Sequence, residues 1–550
     1  MLPGFDPNQI TNLDGARQAI TLLLNLVEEL KQENEQLRTQ VQQLRDEINR
    51  LKGEQGKPDI KPNKPATAAS QHSSEQERRQ PKPHRKSSKV NKIEVNREEK
   101  LLVARNELPA DAQFKGYETV VIQDIQLRTD NVRFHKEKFY SPSQQQTYLA
   151  ALPAGYVGEF GPGIRSLVVT LYYGSEMTEP KIAEFLQNIG VHISDGQISN
   201  LVIKEKASWH EEKRAIYRAG LASSSWQHSD DTGTRVNGEN QHCHVVGNPL
   251  YTAYFTRPGK DRLTLISILQ DVTEPPLLLN DRTTDWLEQF DTPQWAQQLI
   301  AAWPQERLLT LAELTALVET QLVRLNEQQQ ARILEAAALT AYHQQTAMPI
   351  VPNLLTDDAP QFRFITRDHS LCWVHEGRHY KKLLPCVEYH QRLLADFRRQ
   401  FWDYYHQLNA YRADPTPERA VELEKEFDEL FSQVTGYDEL DKRIAKTKAK
   451  KDRLLKVFIY PEMPLHNNPA ELAARRRVRK RDISFGPRTA DGVAAWDTFM
   501  TLAATARQLG VSFYAYIYDR VSGARALPDL ADIIRQQAPA FHPLPCGEVA

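Results

Sequence analysis

Three carboxylates stand where phosphoryl-transfer chemistry could use them. Asp230 closes a strand-like stretch, SSSWQHSD, and Asp357 closes another, PNLLTD. Glu471 falls at the third position of a late helix that Asn468 can cap and Pro469 can open. Acids converging from separate elements can hold two divalent ions about 3.5 to 4 Å apart, one activating an attacking oxygen and one stabilising a leaving oxygen. An all-oxygen donor set suits magnesium or manganese, and no zinc site is evident. Each Asp has an acidic neighbour, Asp231 and Asp358, which is a candidate for the same role. The competing explanation for Glu471 is a capping box, because Asn-Pro-Ala-Glu has that spacing. Six of the seven residues from Arg475 to Arg481 are basic, so Arg475, Arg476, Arg479 and Lys480 are expected near phosphates. His242 and His244 alternate on a strand and share a face, but no third ligand accompanies them.

The totals bound what can carry such a site. A chain of 550 residues predicts several domains. Its net charge of -2 hides segregation: residues 52–92 hold 11 Lys and Arg against 4 Asp and Glu. That local excess favours a nucleic-acid partner. The four cysteines, Cys243, Cys372, Cys386 and Cys546, form no CxxC pair, which argues against a zinc ribbon or a disulfide framework and fits a reducing cytoplasm. The first residues lack a basic-then-apolar signal pattern, and no apolar run approaches the roughly 18 residues that span a membrane.

The elements that must position the acids are read in order. Leu23, Leu30, Leu37, Leu44 and Leu51 recur every seven residues, preceded by Ile20, Val27, Asn34, Val41 and Ile48. β-Branched residues at a with Leu at d predict a parallel two-stranded coiled coil over 15–52, with Asn34 setting the register, and hence a homodimer. Residues 53–95 are Pro-, Ser-, Gln- and Lys-rich and predict a disordered basic linker. Residues 96–160 contain the alternating runs YETVVIQDIQL, NVRFHKEKFYS and QTYLAALP, a small β module. Within 161–215, GPGIRSLVVTLYYG predicts a buried helix. Two further helices follow with helix-turn-helix spacing, the second capped by Ser194 and carrying Gln197, Ser199, Asn200 and Lys204 toward a DNA groove. Residues 222–375 predict the first part of an α/β core, with a helical insertion at 270–348 and a strand at SLCWVHEGRHYKKLLP centred on Cys372, Trp373 and His375. A second helical insertion covers 376–458, where the stripe Phe397, Phe401, Trp402 and Tyr405 is expected to be core. Residues 459–525 close the α/β core and 526–550 form a tail.

WQHSDDTGTRV, LLTDDAPQF, LCWVHEGRHYKKL and the stretch from HNNPAELAARRRVRKRDISFGPRT to FYAYIYD resemble the transposases of the insertion-sequence-66 family. The likeness runs over about residues 160–520, and a leading leucine zipper also matches that family. The resemblance implies a ribonuclease H-like core with Asp230, Asp357 and Glu471 as a DDE triad. It implies two magnesium or manganese ions, binding to terminal inverted repeats, DNA cleavage and strand transfer into target DNA, with accessory proteins left open. The family's pattern favours the first Asp of each doublet. It commonly carries a cysteine zinc module between zipper and helix-turn-helix, which this sequence lacks. Two other readings compete: a non-catalytic coiled-coil DNA-binding regulator on the same scaffold, and a ribonuclease H-like nuclease without strand transfer.

Overall fold

Alternation of apolar residues builds the centre of the molecule. Trp226–Val236 (β3), Glu239–Asn248 (β4) and Tyr251–Arg257 (β5) form three consecutive antiparallel strands. Asn353–Thr356 (β6) and Asp368–Leu371 (β7) add parallel partners, giving one mixed sheet in the order β5-β4-β3-β6-β7. Successive residues serve opposite faces. Cys243, Val245 and Tyr254 pack with Ala470, Ala473, Trp496 and Phe499 on one side. Val246, Ala253 and Phe255 pack with Ile216, Tyr217, Leu265 and Ile266 on the other. This is a computed structural model, and it describes residues 10, 12–51, 93–104, 108–109 and 111–538. The expected linker at 53–95 therefore lies largely outside the described residues, while the expected tail at 526–550 is described to residue 538 and includes a packed helix, Leu530–Gln537.

The molecule is a mixed α+β fold with many helices around this sheet. Leu13–Leu51 (α1) is continuous for 39 residues. The β module is smaller than its sequence suggests. It is a single exposed hairpin, Lys138–Ser141 (β1) with Gln146–Leu149 (β2), and the YETVVIQDIQL run forms no strand. With no opposing apolar face in contact, alternation alone does not hold a strand. Pro162–Val169 (α2) passes into a π-helical turn, Thr170–Gly174. Glu179–Asn188 (α3) and Asp195–Ile203 (α4) follow, the latter capped by Ser194 Oγ accepting from the Gln197 N–H. Ala207–Ala222 (α5) leads into β3.

Between β5 and β6 the chain is helical: Arg262–Leu269 (α6), Asp281–Gln289 (α7), Gln294–Ala301 (α8), Leu311–Gln321 (α9) and Glu327–Gln344 (α10). These share the core beneath β5. After β7 the expected strand is a helix, Trp373–Lys381 (α11). Glu388–Ala413 (α12), Pro417–Leu430 (α13), Asp438–Lys448 (α14) and the single turn Lys451–Leu454 (α15) make a second bundle with its own core. The Phe397, Phe401, Trp402 and Tyr405 stripe is buried there, around Trp373. Asn468–Ser484 (α16) and Ala490–Gln508 (α17) then return to the sheet, and Phe513–Ser522 (α18) and Leu530–Gln537 (α19) end the fold. Among the described residues no helix is long and apolar enough to cross a membrane.

Helix α1 presents two faces. The seam residues Ile20, Leu23, Val27, Leu30, Leu37, Val41, Leu44, Ile48 and Leu51 are 39–79% exposed. Its outer face docks on the second bundle. Asn25 donates to the Gly436 carbonyl (3.0 Å) and accepts from the Asp438 N–H (3.2 Å). Glu28 is buried and accepts from the N–H groups of Cys386 (2.6 Å) and Val387 (3.0 Å), where α12 begins, and from His390 Nδ1 (3.3 Å). Burial pushes the Glu28 carboxyl up, but these hydrogen bonds outweigh it and hold the group below its ordinary value.

Candidate active site

Parallel pairing of β3 with β6 ends at His228 opposite Leu355. Two residues further along each chain stand Asp230 and Asp357, so the register brings the two residues side by side beyond the same end. Asp230 does not close its strand, contrary to the sequence expectation. β3 continues to Val236, and what ends near Asp230 is its pairing with β6, while the pairing with β4 runs on as a two-stranded extension.

Helix α16 brings the third acid, and it starts differently from the sequence reading. Its N-cap residue is Asn467, so Glu471 occupies the fourth helical position. The Asn467 side chain does not cap. Its Oδ1 accepts from His228 Nδ1 (2.9 Å) and its Nδ2 donates to the Ser229 carbonyl (2.8 Å). Its N–H donates to Cys372 Sγ (3.2 Å). Asn467 thus ties the helix start to β3, next to Asp230, and to the end of β7. Glu471 forms no capping box. Its N–H takes the Asn467 carbonyl (3.2 Å), and its carboxylate accepts from Arg378 Nη2 (3.0 Å) with His375 Nε2 at 3.7 Å.

The electrostatics follow from crowding. Burial raises the Asp230 carboxyl to about 7, and the charges of Asp357, Glu471 and Asp231 add to the rise, against one hydrogen bond from the Asp231 N–H. Burial holds His228 down to about 3, so this imidazole is neutral and its proton sits on Nδ1, facing the Asn467 oxygen. His375 is held below its ordinary value by burial, although the Glu471 carboxylate favours its charge. Cys372 Sγ, His375 and Glu471 offer ligand atoms within 4.8 Å of one another; burial pushes the Cys372 thiol up to about 11, and its Sγ accepts from the Asn467 N–H.

The other candidates sort by their partners. Asp358 is taken by Arg453 (2.7 Å), Lys450 (2.8 Å) and Arg363 (3.2 Å). Burial raises it, but these cations prevail and bring it down to about 2. Asp231 accepts from Gln361 Nε2 (3.3 Å). His244 Nε2 faces the Gly259 carbonyl (3.0 Å) and His242 joins no metal-ligand cluster among the described residues.

The basic run divides. Arg475 and Arg479 are exposed and one turn apart, and Arg476 is half-buried. Lys480 is fully buried, which overturns its expected place near phosphates. Its Nζ donates to the Tyr172 carbonyl (2.6 Å) and lies 3.6 Å above the Tyr172 ring. Arg477 is buried too, bonded to Thr256 Oγ1 (2.8 Å) and paired with Asp497 (3.5 Å). A helix packed on a sheet must spend some positions of every turn inward, whatever their charge. Of the four residues expected to read a groove, Gln197, Asn200 and Lys204 are exposed, Ser199 is half-buried, and Lys204 lies just past the end of α4.

Sequence reading gave no site role to His375, Arg378, Asn467 or His228. The signal for the first two was present: His375 and Arg378 are three apart and share a face on a helix, whereas a strand assignment separates them. Nothing in the sequence pairs His228 with Asn467, which are 239 residues apart.

Residues 358–495 match the protein family described as Transposase IS66 family. That region begins just after Asp357 and contains Glu471 and the basic run. An uncharacterized protein, y4jO, of Sinorhizobium fredii (strain NBRC 101917 / NGR234) is 32% identical over 324 residues, 59% of this chain and all of that protein. The chain belongs to the IS66 transposase family. No solved structure matches it.

Proposed function

We propose that the protein is a DNA transposase whose Asp230, Asp357 and Glu471 hold two divalent cations, magnesium or manganese, against a DNA phosphodiester. What supports this reading is the parallel register that sets Asp230 beside Asp357, together with the charges of Asp357 and Glu471, which add to the burial that raises Asp230 to about 7; the three acids do not all lie within 4.8 Å of one another in this structure. The donor set fits such ions: it is all oxygen, and crowded acids are what a divalent cation relieves. When bound, the ions would lower the pKa of an attacking water and neutralise charge on the leaving oxygen. Arg378 orients the Glu471 carboxylate, and Asn467 with His228 fixes the helix start against β3. Arg475 and Arg479 are available to the flanking phosphates. Water attacks phosphorus at the element's end, the P–O3′ bond breaks, and the freed 3′-hydroxyl attacks a target phosphodiester, one P–O bond forming for each broken.

The sheet order, with a three-strand meander carrying the first acid, supports a ribonuclease H-like core. The exposed seam of α1 supports a parallel homodimer holding two terminal inverted repeats, with α3 and α4 as a helix-turn-helix reader. The test is metal-dependent nicking and joining of a duplex bearing the element's end. Asp230→Asn, Asp357→Asn and Glu471→Gln should each lower cleavage by on the order of a thousandfold or more while DNA affinity and dimerisation hold. Near-normal nicking by Glu471→Gln sinks the metal role of Glu471. Cleavage without joined products would instead mark a nuclease.

A further inference from the structure

Away from the three acids, a cavity of about 490 Å³ opens between α5, the end of the edge strand β5 and the start of α17. Lys213 and Arg257 line it, and neither has an ion-pair partner among the described residues. Arg257 spends its terminal nitrogens on the carbonyls of Thr256 (3.1 Å) and Val272 (3.5 Å), and its Nε is buried with no partner. The Lys213 ammonium lies 4.1 Å above the Phe255 ring, and burial holds it below its ordinary pKa. Tyr217, fully buried, also lines the cavity, and its hydroxyl has no partner. The acids on the wall are already engaged: Asp271 bonds Arg214 Nε (2.8 Å), and Asp497 bonds Arg477 and Thr256. Two inward cations without an ion-pair partner among the described residues, and two buried donors without acceptors, are costly features.

We propose that this cavity binds a phosphate group. Lys213, Arg257 and Tyr217 line the same cavity and bring donors to it, and a tetrahedral oxyanion has both the negative charge that answers two cations and several oxygens to accept from them. The volume lies in the range of small-ligand pockets and leaves room beyond the phosphate for the group that carries it. Its place also fits. Arg257, at the end of β5, pairs with His242 on β4, in the stretch where the β3–β4 ribbon runs on past Asp230. The phosphate therefore belongs either to a nucleic-acid strand or to free phosphate. The site is independent of the proposed metal chemistry.

Calorimetric titration of the full chain with inorganic phosphate, without divalent ions, tests this. One phosphate should bind per chain with a Kd of about a millimolar or below. Lys213→Met and Arg257→Gln should each weaken it by about tenfold or more, and Tyr217→Phe, which removes one oxygen atom, by about threefold. A second arm compares one oligonucleotide with a 5′-phosphate and with a 5′-hydroxyl. Tighter binding of the phosphorylated strand, lost in Arg257→Gln, assigns the phosphate to DNA; phosphate binding without that difference assigns it to the free ion. Absence of phosphate binding to the wild-type chain, or equal binding by the wild type and the three variants, overturns the proposal. Should Lys213→Met fail to fold, Arg257→Gln and Tyr217→Phe carry the comparison.

Discussion

Lys480 and its neighbours show how far residue type and residue role can part. A run of six cations looks uniform in sequence, yet Arg475 and Arg479 face solvent while Lys480 sits against Tyr172 and Trp496. Burial pushes the Lys480 ammonium down to about 7 from 10.5, although Glu176 and Glu179 favour its charge. In the unfolded chain it keeps its proton to about 10.5, so between pH 7 and 10.5 the unfolded state binds more protons than the folded state. Its contribution to stability should therefore be flat below about pH 7 and should rise above it. Chemical denaturation of the wild type and Lys480→Met between about pH 6 and about pH 10 should give a difference that shifts in favour of the wild type as pH rises. DNA binding separates the same residues. Arg475→Ala and Arg479→Ala should each flatten the salt dependence of affinity by about one unit, and Lys480→Met should leave that slope unchanged. Loss of affinity for one DNA sequence alone would mean that Arg475 and Arg479 read bases.

Among the elements, α1 has an exposed heptad seam and a separate face that docks on the second bundle. Its heptad seam stands free, and the residues that dock on the second bundle, Asn25 and Glu28, fall outside the a and d positions. The seam and the docking face can thus be occupied together. A chain lacking residues 1–52 should sediment as a monomer, and Asn34→Val should tighten association while loosening the preference for two strands. Glu28→Ala should leave dimer affinity intact but strip acceptors from the Cys386 and Val387 N–H groups, costing about 2 kcal/mol in the bundle's stability and speeding amide exchange there. A fall in dimer affinity with Glu28→Ala would show that the helix docks on the partner's bundle and not on its own.

Across the whole molecule, two cores meet at one short helix. Leu371, Cys372 and Trp373 belong to the second bundle's core, where Trp373 touches Phe401, Tyr404, Phe427 and Phe431. The Trp373 N–H donates to the Leu465 carbonyl (2.9 Å), just before α16. The bundle therefore positions His375 and Arg378, which reach Glu471. Phe427→Ala, far in sequence from every acid, should destabilise the bundle by about 3 to 5 kcal/mol and reduce cleavage by loosening Arg378. Unchanged cleavage in a folded Phe427→Ala protein would mean that the bundle does not set the Glu471 geometry.

Patterns with a local physical cause were legible without coordinates. The heptad of α1, the three-strand meander after Ser225, the Ser194 cap and the aromatic stripe of α12 all rest on periodicity or a single turn's chemistry. The acids could be nominated for the same reason, as polar residues where apolar runs stop. Their placement relative to one another could not be read that way. It depends on a parallel register between β3 and β6, and on the bonds of Asn467 to His228 and Ser229 across more than two hundred residues. The helix at Trp373–Lys381 was hidden because CWVHEGRHYKK is compatible with either period until Trp373 finds its aromatic pocket. Burial of Lys480 was hidden because local sequence carries no information on which face of a uniformly cationic helix meets the sheet, and packing against Tyr172 and Trp496 makes that choice.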